Sequence, residues 1–135
     1  MSEAFDAIKE DFEFLDDWED RYRHIIDLGK SYPALDDALR TDALKVEGCA
    51  SQVWLLPKIE GDEFSFVGAS DAMIVQGLIA VLAALYNGET VGNAFKINAL
   101  EAFKALGLDQ HLSAQRSNGL RAMIARINGY LEQNS

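Results

Sequence analysis

The chain has 135 residues (14.9 kDa), 49% of them hydrophobic and 25% charged, with a single cysteine; this is the makeup of one globular domain spanning 1–135, not of a disordered, collagen-like or disulfide-stapled chain. Twenty-two acids against twelve bases give a formal charge of −10, the wrong sign for counterion release from a phosphate backbone, so nucleic acid is excluded as the expected partner. The longest uncharged run, residues 72–88, contains Gln76, Gly77 and Asn87 and falls short of the roughly 20 apolar residues of a membrane span, so no membrane association is expected either.

The opening Met1-Ser2-Glu3-Ala4-Phe5-Asp6-Ala7 has neither a basic nor an apolar leader segment, and with the lone cysteine it predicts a reducing, cytoplasmic location. Phe5, Ile8, Phe12, Leu15, Tyr22, Ile25 and Ile26 recur at steps of three and four with acids between them, which predicts one amphipathic helix over 4–28, ended by Gly29. Residues 1–42 hold thirteen acids and five bases, so this helix is read either as a solvated acidic face or as a docking surface for a basic partner. A short helix is expected over 35–40, after Pro33.

Val53-Trp54-Leu55-Leu56, a turn at Glu60-Gly61-Asp62-Glu63, and Phe64 to Val67 ending at Gly68 predict a β-hairpin, with Pro57 at an edge or strand end. Ser70 and Asp71 offer capping oxygens to a buried helix carrying Met73, Ile74, Leu78, Val81, Leu82 and Leu85, closed by Asn87-Gly88. Asn98 and Glu101 imitate a capping box for a short helix stopped by Gly107, and a last helix is expected from about Ser117 to Leu131. Helices before and after a small antiparallel sheet, without βαβ alternation, predict an α+β fold with the helices on one side.

Chemistry is sparse. His24, Cys49 and His111 are too far apart in sequence to suggest a zinc site, no phosphate-binding glycine motif is present, and twenty-two acids make any chosen carboxylate pair uninformative; neither metal nor cofactor is expected. Cys49 stands out by its setting, between Gly48 and Ala50 just before a strand. A thin tip lets a thiol enter a narrow partner cleft, and Gly48 permits a positive φ; a small buried hydrophobe beside a tight turn is the other reading.

The strings VEGCASQVW (46–54), ASDAMIVQGLIAVLAALYNG (69–88), HLSAQRSNGLRAMIARI (111–127) and DWEDRYRHIIDLGKSYPAL (17–35) together resemble the SufE family of sulfur acceptors and the related CsdE proteins. The resemblance implies an α+β fold like that of iron–sulfur scaffold proteins of the IscU type. It also implies a persulfide carrier: a pyridoxal-phosphate cysteine desulfurase (SufS- or CsdA-like) delivers sulfur to Cys49 and is stimulated in return, and the sulfur passes to an iron–sulfur scaffold complex. Such a protein works as monomer or homodimer and has no independent turnover.

Within the matching segments, Glu47, Gly48, Ser51 and Gln52 are expected to contact the desulfurase, although Ser51 and Gln52 can instead satisfy turn backbone. Arg116 is the first candidate for the cation that favours the Cys49 thiolate, and Lys45 the second; a helix-end salt bridge between Arg116 and Asp71 is the alternative. Asp71 is expected at a helix start close to the cysteine loop. The chain departs from the family at Ala114-Gln115, where a Pro-Ser-like pair is usual, and in the single proline of SYPAL, which leaves the choice of desulfurase open. The function of a different class that the residues allow is an acidic interaction module with an inert cysteine.

Overall fold

The computed structural model describes residues 2–33, 35–48 and 51–134. Two helices open the chain, α1 (Glu3–Phe14) and α2 (Trp18–Ser31), where the apolar period predicted one. The break has a local cause. Asp17 caps α2 by accepting from Glu19 N at 2.9 Å, and the Arg21 side chain reaches back to close α1, its Nε donating to Leu15 O and its Nη2 to Phe12 O at 2.9 Å. At the other end, the Ser2 hydroxyl donates to Ala84 O and accepts from Phe5 N, which ties the start of α1 to the helix beneath it.

Gly29 does not end α2. It lies buried inside the helix, and a Cβ there would stand 2.6 Å from Gly77 N. The predicted helix over 35–40 is a single 3-10 turn, Asp37–Leu39, opened by the Asp36 carboxylate.

The hairpin forms where predicted and is longer than its apolar runs. Strands β1 (Val53–Glu60) and β2 (Glu63–Ser70) pair from Val53↔Ser70 to Glu60↔Glu63. Gly61, at φ +63, takes the first position of the two-residue turn, the arrangement whose twist suits a hairpin. Pro57 sits within β1, an edge of the sheet order β1-β2-β3, where a missing N–H costs least.

Helix α3 (Met73–Tyr86) follows. Its N-cap is Ala72, with no side-chain cap, so Ser70 and Asp71 do not play the role the sequence suggested: the Ser70 hydroxyl accepts from Ala72 N, and Asp71 turns toward Gln52. Gly88, at φ +89, lets the chain leave α3 into β3 (Glu89–Thr90) and α4 (Val91–Phe95), two elements absent from the sequence expectations. Asn98 caps α5 (Ala99–Ala105) by accepting from Glu101 N at 3.2 Å, the forward half of the expected capping box, and Gly107 stops the helix at φ +77. The last helix, α6 (Ala114–Gln133), starts three residues before the expected position, because Ser113 caps it by accepting from Arg116 N at 3.2 Å.

Strand alternation sorts the sheet's two faces. Val53, Leu55, Phe64 and Phe66 join the main core with Leu78, Leu82 and Tyr86 of α3 and Met123 and Ile127 of α6, so the helices collect on one side as predicted. Trp54 and Ala69 face the other way, into a small second core with Leu35 and, partly buried, Leu44, Leu56 and Val67.

The outer edge of β2 is closed by side chains. β3 covers Glu63 and Phe64; beyond it, Asn87 accepts from Phe66 N at 2.9 Å and donates to Phe66 O at 3.2 Å, and Gln76 accepts from Ser70 N at 2.8 Å. Two amides thus stand in for the missing length of a third strand.

Candidate functional site

The site is built at the point where three elements converge: the start of β1, the first turns of α3 and the first half of α6. A cavity of about 290 Å³ opens between them. Val53, Ala72, Ile74, Val75, Leu78, Leu120 and Met123 form its apolar wall, and Ser51, Ser113, Gln115 and Arg116 bring the polar atoms. It forms here because α3 begins directly after the hairpin returns, which sets its first turn beside the start of β1, while the Ser113 cap aims the opening of α6 at the same place.

Cys49 and Ala50 lie outside the described residues. Their neighbours on both sides are placed. Gly48 is exposed at φ +91, in the left-handed region, so the conformational freedom expected of this glycine is used. A Cβ added to it would stand 3.4 Å from the Ala122 Cβ on α6. Ser51 lines the cavity, and Glu47 and Gln52 are exposed, with no cation within 4 Å of Glu47 among the described residues.

Asp71 has a definite task. Its carboxylate accepts from Gln52 N at 3.0 Å, and Asp71 N donates to Gln52 O at 3.3 Å, so the pair extends the β1–β2 ladder by one step and clamps the stem of the cysteine loop. The Asp71–Arg116 salt bridge considered as an alternative does not form: Arg116 has no carboxylate within 4 Å among the described residues. Arg116 is exposed and lines the cavity, whereas Lys45, the second candidate cation, lies outside it and pairs with Trp54 through its backbone. A guanidinium beside an apolar cavity, at the start of a 20-residue helix, makes the region favourable for a thiolate or another anion.

Sequence reasoning missed Gln76, which fixes the last turn of β2 before Asp71, and Ala122. The signal for Gln76 was present, an amide in the first half of the uncharged run 72–88, but its purpose depends on the ladder it closes. His24 is half-buried beside Asp11 at 3.3 Å, and His111 is exposed and stacked on Trp18 at 3.7 Å between ring centroids. No group of three or more His, Cys, Asp or Glu is arranged to hold a metal ion among the described residues. No helix among them is long and apolar enough to cross a membrane.

Comparison with known proteins follows the same outline. The family described as "SufE: Fe-S metabolism associated domain" matches residues 6–131. An uncharacterized SufE-like protein of Rhizobium meliloti is 48% identical over 133 residues, covering 96% of this chain and 95% of its own. The sulfur acceptor protein CsdE of Escherichia coli is 40% identical over 123 residues, covering 90% of this chain and 84% of its own. Among solved structures, a hypothetical protein of Thermus thermophilus superposes with a TM-score of 0.79 over 98% of this chain and 96% of that one; at 16% identity the likeness is one of fold alone.

Proposed function

This chain belongs to the SufE family, and from that premise we propose that it is a sulfur acceptor of iron–sulfur metabolism whose acceptor atom is the Cys49 thiol. The sulfur comes from a pyridoxal-phosphate cysteine desulfurase, which docking of the acceptor stimulates, and leaves toward an iron–sulfur scaffold complex. The observation that carries the reading is the placement of the cysteine loop's two ends: Gly48 lies near Ala122 of α6, and Ser51 opens onto the apolar cavity that Arg116 flanks.

The chemistry is thiol–disulfide exchange. The Cys49 thiolate attacks the outer sulfur of the desulfurase persulfide; a new S–S bond forms on Cys49 as the old one breaks, and the desulfurase cysteine leaves as a thiolate. No net oxidation or reduction takes place. Arg116 supplies the positive charge that raises the thiolate fraction, Asp71 holds the loop stem through Gln52, and the apolar wall is where a persulfide escapes water and reductants. Ser51, at the cavity, and the exposed Glu47 and Gln52 meet the desulfurase.

The test is mass spectrometry of the wild type and Cys49→Ser after incubation with an active cysteine desulfurase and L-cysteine, without reductant. An adduct of about 32 Da, one sulfur, on the wild type alone is the expected result. No adduct with a desulfurase of matching type defeats the reading and leaves an acidic interaction module with an inert cysteine.

A further inference from the structure

Before entering the cysteine loop, the chain runs along the free edge of β1. Val46 N donates to Val53 O at 2.8 Å and Leu55 N donates to Leu44 O at 2.9 Å, so residues 44 and 46 face β1. Just before this bridge the chain turns, Leu44 N donating to Thr41 O at 3.1 Å and Lys45 N to Asp42 O at 3.3 Å, and the carbonyls of residues 43 and 45 take no part in the pairing with β1. Arg126 of α6 receives both: its Nη2 donates to Ala43 O at 2.7 Å and its Nη1 to Lys45 O at 3.1 Å. The two nitrogens of one planar fork thus meet two carbonyls of this turn at once, a match that a lysine ammonium does not reproduce. One turn earlier on the same helix, Ala122 lies near Gly48, its Cβ 3.4 Å from where a Cβ on Gly48 would stand.

We propose that Arg126 is a positioning residue for the cysteine loop, a latch that holds the entering segment 43–48 against α6. The segment has two kinds of tether. Its bonds to β1 belong to the sheet, whereas the Arg126 fork is an exposed side-chain contact that is released without disturbing the ladder. With the fork closed, Gly48 stays near Ala122 and the loop starts from one place; with it open, the segment frays from its α6 side and the loop gains reach. The significance for sulfur transfer rests on the reading of Cys49 as acceptor, but the latch itself is measurable without a desulfurase.

The test uses the full chain as Arg126→Ala and Arg126→Lys. Hydrogen exchange is followed at the hydrogen-bonded amides of Leu44, Lys45 and Val46, with β2 amides as reference, alongside the rate of Cys49 alkylation by iodoacetamide. In Arg126→Ala, loss of two charge-assisted bonds is expected to speed both local exchange and alkylation by about three- to tenfold while β2 is unchanged, with Arg126→Lys between. Wild-type exchange at the three amides, wild-type alkylation, or an equal rise across β2 overturns the latch. If the local rises in exchange and alkylation are found while wild-type protein takes no sulfur from the desulfurase, the acceptor reading fails and the latch stands.

Discussion

The crossing of α2 and α3 rests on two glycines, and this sets up a substitution whose sign depends entirely on where it is made. A Cβ on Gly77 would lie 2.2 Å from Ile25 O and 2.5 Å from Ile25 Cγ2. The first of these atoms is backbone, so no rotamer change relieves the overlap, and Ile25 itself is fully buried. Gly77→Ala therefore pushes the two helices apart. Overpacking of this kind costs about 3 kcal/mol at the upper end of its usual range, and the gain in helix propensity from glycine to alanine returns about 1 kcal/mol, leaving a net loss of about 2 kcal/mol. For a domain of this length that is a fall in Tm of about 6–10 °C. Gly129 is the control, since it also lies inside a helix but has nothing within 4 Å of an added Cβ. Gly129→Ala should gain about 0.5–1 kcal/mol. Urea unfolding followed by far-ultraviolet circular dichroism measures both. A Gly77→Ala protein as stable as wild type would refute the argument, as would equal destabilisation by the two substitutions. The matter reaches the site because α3 carries Ala72, Ile74, Val75 and Leu78, so displacing its crossing with α2 disturbs the cavity wall.

Two further outcomes follow from the site and the core. Arg116→Ala should slow alkylation of Cys49 at pH 7 by about two- to fivefold and leave the rate unchanged near pH 10, where the thiol is ionised without help; a deficit that persists at high pH assigns Arg116 a structural role instead. Burial pushes the phenols of Tyr32 and Tyr86 up from 10.0 to about 12. The folded state therefore holds these protons more tightly than the unfolded one, and the stability they lend is fully present below about pH 10 and lost as pH rises toward 12. The Tyr86 hydroxyl is buried with no hydrogen-bond partner among the described residues, so Tyr86→Phe should match or exceed wild-type stability at pH 7 and weaken this alkaline loss; a less stable variant at pH 7, measured by denaturant unfolding, contradicts that account.

What the sequence by itself determined is local or periodic. The hairpin was legible because two apolar runs flank the turn at Glu60-Gly61-Asp62-Glu63 within twenty residues, and α3 because an apolar run closed by Asn87-Gly88 leaves few other solutions. The caps at Asn98 and the stop at Gly107 are written in neighbouring side chains. The family segments around Cys49 pointed to the candidate site in the same way, since their residues are consecutive in the chain.

The tertiary structure decided whatever depends on partners distant in sequence. The apolar period of residues 4–28 runs on through the junction between α1 and α2, and only the return of Arg21 to the carbonyls of Phe12 and Leu15 breaks it. Gly29 carries the signature of a helix end, but its missing Cβ serves the approach of Gly77, 48 residues away. β3 is too short to leave a pattern and exists because β2 offers it an edge. Asp71 reads as a helix cap and becomes a clamp, because the ladder brings Gln52 N within its reach before α3 begins. Arg126 lies in the family-like segment 111–127, but nothing in that segment states its part, which depends on α6 lying alongside residues 43–46, a relation that no window of the sequence contains.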